Sequence, residues 1–311
     1  MARRVSLWVM TRPSLPSLAA SPVIMRARPW ADHALIDSGG GRKLERYGRY
    51  TVVRPEAQCL WTPRLGEADW ARADAVFEAT DEEEAGRWRF STPVAETWAM
   101  TWNAVRFHAR FTAFRHLAVF PEHAANWEWL VERIQTSRKP LKIMNLFGYT
   151  GISSLAAAAA GASVTHVDAS KRAVGWARDN AALSDLADAP LRWICEDARK
   201  WVARESRRGA RYDAIILDPP KHGRGPNGET WRLYEDLPEL MAGCASLLSD
   251  EASFLLLNGY SERLTGLALA GLTSEVVGAR GGTIDWGELA LEEEDGGRGV
   301  GLSFFARWSA P

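Results

Sequence analysis

The densest group of residues able to do chemistry is Asp218-Pro219-Pro220-Lys221-His222-Gly223-Arg224, which follows the fully apolar run Ala214–Leu217. A strand of that composition is buried on both faces. It delivers the next residue to the carboxyl edge of a sheet, where open α/β sheets bind ligands. Two prolines then hold the chain extended and keep it from turning at once into a helix. Such a corner can present the Asp218 carboxylate and a main-chain carbonyl to an exocyclic amine or a base edge. Lys221, His222 and Arg224, on the glycine-rich stretch beyond, suit contact with phosphate. A surface loop with a buried capping aspartate has the same letters, so the neighbouring segments must decide.

Residues 141–147 form an apolar strand that runs into Gly148-Tyr149-Thr150-Gly151, followed by a small-residue helix over 152–160. Glycine permits a tight turn and close approach of a ligand to the main chain. The free N–H groups of the helix favour a carboxylate or phosphate there. The next strand ends in Asp168, which can accept both hydroxyl protons of a ribose or cap the helix after Ser170. A third strand leads to Asp197, which can accept an adenine amino group, cap the helix beginning at Ala198, or do both. NAD is disfavoured, because the glycines are spaced GxxG and Tyr149 stands where a pyrophosphate needs bare backbone. A P-loop is excluded by the absence of GK[ST]. S-adenosylmethionine needs room for a methionine tail, a ribose anchor and an adenine slot, and no pyrophosphate cradle. The candidate cofactor-binding residues on these segments are Asn145, Phe147, Gly148, Tyr149, Thr150, Gly151, Asp168, Ala169, Asp197 and Asp218.

These residues need a scaffold that brings strand ends together. From residue 122 onward strand patterns (141–147, 163–168, 191–195, 212–218, 252–258) alternate with helix patterns (152–160, 171–184, 198–207, 234–248, 262–269). Short joints between them imply right-handed crossovers and a parallel sheet covered on both faces. Residues 287–309 read as a closing hairpin, hence an antiparallel finish. Residues 31–115 are β-rich, with the polar stretch 67–88 read as a helical or loop-like insertion and 81–84 as a solvated acidic face. The domain reading is thus an N-terminal extension (1–30) expected to be disordered, a β-rich domain (31–115) and an α/β domain (116–311). The basic run Arg42, Lys43, Arg46, Arg49 and Arg54 is either an RNA-binding surface or a solvated face.

A chain of 311 residues is long enough for two cores. A net charge of −1 points neither toward nor away from nucleic acid. Cys59, Cys195 and Cys244 are widely spaced, which gives no disulfide framework and no metal set and suggests a reducing cytoplasm. No apolar run approaches the roughly 20 residues of a membrane span.

At the Asp-Pro-Pro-Lys corner and the GxxG turn the chain resembles the class I S-adenosylmethionine-dependent methyltransferases. Within these it is most similar to the group acting on large-subunit ribosomal RNA that includes the 5-methylcytosine enzymes. The likeness covers about residues 111–308 and takes in "FRHLAVFPEHAANWEWL" before the first strand. It implies a Rossmann-like seven-stranded sheet with its last strand antiparallel and an S-adenosylmethionine site. In that site Gly148 to Gly151 line the methionine end, Asp168 the ribose and Asp197 the adenine, while Glu122 and His123 occupy the group's acidic and amide positions. Asp218 and Pro219 fall near the transferred methyl. Two departures stand out. Asn145 replaces an acid common in class I enzymes, and Tyr260 stands where the cytosine enzymes carry a nucleophilic Cys. The expected activity is methylation of an RNA base, on nitrogen rather than on cytosine carbon 5, with Asn258 and Tyr260 holding the base and Lys221, His222 and Arg224 the RNA. The rivals are a methyltransferase acting on DNA, protein or a small molecule, and a non-catalytic cofactor- or RNA-binding scaffold.

Overall fold

The computed structural model describes residues 16–79, 86–260 and 263–311. The acidic run 81–84, residues 1–15 and Glu262 lie outside the described residues. The central sheet runs in the order Leu191–Cys195, Ser163–Asp168, Lys142–Leu146, Ala214–Leu217, Phe254–Gly259, Gly299–Ser309, Thr283–Glu292. The first five are parallel. Gly299–Ser309 is antiparallel to both its neighbours. The expected seven strands with an antiparallel last strand are present, within a sheet that counts nine strands among the described residues.

Strand periodicity builds two cores from alternate residues of the same strands. Ile143, Ala214, Ile216, Phe254 and Leu256 face one side, against Leu130 and Ile134 of the helix Ala124–Gln135 and Ala157 of Ile152–Ala159. Met144, Leu146, Ile215, Leu217, Leu255 and Leu257 face the other, against the helices Ala198–Arg207, Leu233–Leu247 and Gly266–Val277. With both faces covered, ligands have access at the strand ends.

Part of the N-terminal stretch read as a disordered extension is sheet. Val23–Ala27 and Ser17–Leu18 pair in parallel with Thr283–Glu292. They cover the edge that this strand would otherwise leave open, with unpaired backbone groups. The charge and prolines of the segment had outweighed its short apolar run. The polar stretch 67–88 also differs from expectation. Among its described residues only Glu67–Trp70 is helical, and Ala75–Ala79 is a strand with Ala75 and Phe77 buried. It joins His33–Gly39, Arg42–Tyr47, Tyr50–Pro55 and Gly86–Phe90 in a five-stranded sheet, and the hairpin Thr97–Trp102/Val105–Arg110 follows.

Two of the five residues in the basic run of this sheet are turned inward, which takes those two out of both readings of it. Lys43 and Arg54 are buried. Lys43 pairs with Glu56, and Arg54 forks onto both oxygens of Glu45 at 2.8 Å. Arg42 pairs with Glu67 and Arg46 with Glu294, and Arg49 is exposed, with its guanidinium over the Tyr50 ring. Burial alone would raise the Glu45 carboxyl, but Arg54 and Lys43 outweigh it and hold the group well below its usual 4.5. Arg54→Ala is therefore expected to cost about 3–5 kcal/mol, since it leaves a buried charge without its partner. The pair stabilises the fold above pH 4.5, and that contribution is lost as pH falls toward the folded value. Denaturant titrations of both proteins between pH 3 and 7 check the size and the sign.

Candidate functional site

The turn after Lys142–Leu146 is shaped from below. Asn145 is buried and donates to Ser154 Oγ at 2.9 Å, and Ser154 Oγ lies 3.0 Å from His166 Nδ1. His166 is fully buried, and burial lowers its pKa to about 3, so the ring is neutral. A Cβ on Gly148 would stand 2.4 Å from His166 Cε1, and one on Gly151, whose φ is +85°, would stand 2.9 Å from Ala177 Cβ. The glycines are thus required by the protein packed beneath them, where the sequence reading had a ligand approaching. Phe147 and Tyr149 also take left-handed φ, +58° and +47°, a conformation that costs non-glycine residues about 1–3 kcal/mol each and clusters at ligand sites. Gly148→Ala is expected to destabilise the protein by about 1–3 kcal/mol through overpacking. His166→Ala should reverse part of that loss in a double-mutant cycle read by thermal unfolding.

The backbone of this turn is tied to the acid of the next strand. Asp168 Oδ2 accepts from Tyr149 N at 2.9 Å and Oδ1 from Ser170 N at 2.8 Å. Each oxygen keeps a lone pair for a ligand, and burial raises the carboxyl above its usual range. Ala169 follows, half-buried, and its carbonyl lies 3.7 Å from the exposed Cys195 Sγ. Thr150 is buried, with Oγ1 donating to Ala118 O. Asn180 Nδ2 donates to Thr150 O, which fixes the turn to the helix Lys171–Leu183. Asp197 is 4 % exposed. Its Oδ1 accepts from Arg199 N and Lys200 N, and its Oδ2 from Arg199 Nη2. Of the two roles open to it, the helix cap is occupied.

A second cluster forms at the ends of Ala214–Leu217 and Phe254–Gly259. The Asp218 side chain is 35 % exposed, and its Oδ2 lies 3.8 Å from His123 Nδ1. Burial raises the Asp218 carboxyl, His123 lowers it and Glu122 raises it, and the net shift is upward. Glu122 and His123 are buried on the short 3-10 turn Pro121–His123. Asn258 is buried; its Oδ1 accepts from Asn126 Nδ2 at 2.7 Å and its Nδ2 lies 3.4 Å from His123 Nδ1. Asn126 Oδ1 is buried with no partner, an acceptor left over beside this cluster. Pro219 is buried. Pro220 O accepts from Trp231 Nε1 at 2.7 Å, and Trp231 packs on Phe147 with ring centroids 4.9 Å apart. The Asp-Pro-Pro corner is thereby locked to the first turn. The stretch read as a loop continues as a hairpin, His222–Arg224 paired with Thr230–Arg232. Lys221 is half-buried, while His222 and Arg224 are exposed. Tyr260 is 41 % exposed, and its hydroxyl accepts from Arg115.

The structure therefore brings Asp218, Asn258 and His123 together, with Glu122 next in sequence, and ties the Gly148–Gly151 turn to Asp168. Sequence reasoning missed Asn126, Ser154, His166, Asn180, Arg115 and Trp231. Asn126 had a legible signal, an amide three residues past His123 in a helix pattern. No cysteine joins the Asp218 cluster. Cys244 and Cys59 are buried, which raises both thiols, Cys59 to about 11. Cys195 lies by Ala169, next to Asp168.

A sequence profile for S-adenosylmethionine-dependent methyltransferases matches residues 50–254. An S-adenosylmethionine-dependent methyltransferase from Agrobacterium tumefaciens is 49% identical and superposes with a TM-score of 0.91 over 95% of each chain. The SMU.776 structure, solved with S-adenosylhomocysteine, shares the fold at 18% identity (TM-score 0.70, 89% of this chain and 75% of that one). The ribosomal RNA large subunit methyltransferase K/L of Shewanella frigidimarina is 30% identical over 155 residues, 49% of this chain. The chain spans about a fifth of the length of that curated relative, 21%.

Proposed function

The chain belongs to the family of S-adenosylmethionine-dependent methyltransferases, and from that premise we propose that it methylates a base of large-subunit ribosomal RNA on a nitrogen. The half-exposed Asp218 carboxylate carries this reading, with His123 between it and Asn258 and no thiol beside it. The name of the Shewanella relative supports the RNA target.

The residues at the turn fit the cofactor. Asp168 has one acceptor direction per oxygen left for a ribose diol, and its carboxylate is oriented by two backbone N–H groups. Asn145, Phe147 and the Gly148–Gly151 backbone would hold the methionine end, with Glu122 beside it, and Ala169 and Asp197 would border the adenine. When bound, the cofactor supplies an activated sulfonium methyl, so the protein's contribution is orientation and electrostatics. Asp218 accepts an N–H bond from the target base, turns its lone pair toward the site and holds the proton released. His123 keeps that carboxylate in place, and Asn258 in turn holds His123. The base must leave its stack to reach Asp218. Lys221, His222 and Arg224 approach the RNA backbone from the hairpin, and Tyr260 stands at the mouth.

Carbon 5 of cytosine would need a thiolate to attack the ring first. RNA containing 5-fluorocytosine is therefore expected to be left without a covalent adduct while tritium from labelled S-adenosylmethionine enters ribosomal RNA. A protein–RNA band on a denaturing gel that disappears in Cys195→Ala would overturn the nitrogen assignment. Changing Lys221 and Arg224 together to Ala should weaken RNA affinity and flatten its dependence on salt, since each lost phosphate contact releases fewer counterions. An unchanged salt slope would remove the hairpin from the RNA path.

A further inference from the structure

The segment leading from the β-rich sheet to the 3-10 turn carries a row of surface rings. Phe114 is 51 % exposed and Phe120 36 %, and Tyr260 across the mouth is 41 % exposed. Phe114 and His116 lie nearly parallel, with centroids 5.7 Å and planes 20° apart. His116 reaches Phe120 at 5.2 Å, and Phe120 reaches Tyr149 of the cofactor turn at 5.9 Å and His123 at 6.2 Å. Arg115 donates to the Tyr260 hydroxyl and sets its guanidinium 5.9 Å from that ring. The rings thus run from the cofactor turn to the edge of the Asp218 cluster, with a cation beside them. Burial, Arg54 and Arg115 lower His116 to about 4, so at neutral pH it joins the row as an uncharged ring. Scattered exposed apolar residues need no explanation, but a contiguous row that ends in a site marks a surface that something covers.

We propose that Phe114, His116, Phe120 and Tyr260 form a stacking surface for unpaired nucleobases, which holds the nucleotides flanking the target while its base sits at Asp218. The proposal rests on the RNA reading above and adds to it that the substrate is single-stranded at this place. Every base has a π face, so stacking on exposed rings is strong and tolerant of sequence. Arg115 supplies the positive charge that a nucleic-acid chain requires. In a duplex the base faces are already stacked on one another and cannot use the rings.

Phe114→Leu keeps the apolar bulk and removes the stacking face at an exposed position, and Phe114→Trp restores it. With in-vitro-transcribed large-subunit ribosomal RNA, Phe114→Leu is expected to raise KM about tenfold, the size of one lost stacking contact. Its kcat and its S-adenosylmethionine affinity should stay at wild-type values, and Phe114→Trp should return KM to within about twofold. A single-stranded RNA 12-mer carrying 2-aminopurine should show quenched fluorescence on binding the wild type, and the same strand in a duplex should not. An unchanged KM in Phe114→Leu, or an equal loss of S-adenosylmethionine affinity, would overturn the proposal. A wild-type protein that quenches the single strand yet transfers no methyl to RNA would sink the substrate reading while upholding the stacking surface.

Discussion

Asp218→Ala is expected to leave S-adenosylmethionine affinity within a few-fold of wild type and to lower kcat by about 10²–10⁴-fold, the range associated with a positioned acid–base group. The reason is geometric. Asp218 closes no hydrogen bond of the cofactor turn; its carboxylate faces His123 at 3.8 Å and is 35 % open to the mouth of the site. Because burial and Glu122 raise its carboxyl, the carboxylate form that can take up a proton is lost at a higher pH than for an ordinary aspartate. The wild-type kcat profile should therefore fall on its acid side above the usual carboxylate range near pH 3.8. Glu122→Gln removes the negative neighbour and should move that limb to lower pH. Isothermal titration with S-adenosylhomocysteine separates the two roles of Asp218, because a variant that loses binding and turnover together would make the aspartate a structural strand end.

Asp168→Ala should act in the opposite sense. It removes the proposed acceptor for a ribose and also the acceptor for Tyr149 N and Ser170 N. A loss of about 1–3 kcal/mol in cofactor binding is expected, which corresponds to a roughly five- to 150-fold rise in Kd. Asp168→Asn retains one carbonyl oxygen and should fall between the two. Calorimetry showing wild-type affinity in Asp168→Ala would remove this residue from the site. The two variants form a matched pair: one keeps the cofactor and loses transfer, the other loses the cofactor.

The sheet was legible because its strands are short apolar runs, each ended by a turn or an acid. Ala214–Leu217 contains no polar residue and is buried throughout. The acids at 168, 197 and 218 could be placed because strand order puts every such residue at one edge. What lies beneath the edge was not legible. His166 interrupts an apolar strand as a single polar letter, and nothing in the sequence says that Gly148 rests on it. The basic run 42–54 was only partly legible because a sequence shows charges without their partners, and Glu45, Glu56, Glu67 and the far Glu294 reach four of those five residues only after folding. The strand Val23–Ala27 depends on an edge more than two hundred residues away, a pairing that no local pattern reports.

The central claim is nitrogen methylation of a large-subunit ribosomal RNA base at the Asp218 cluster. Mass-spectrometric nucleoside analysis of ribosomal RNA from a deletion strain beside wild type tests it most directly. One N-methylated nucleoside should be missing from the large-subunit RNA of the deletion strain, and expression of the wild-type chain, but not of Asp218→Ala, should restore it. An unchanged nucleoside profile, or loss of 5-methylcytosine in its place, would contradict the account.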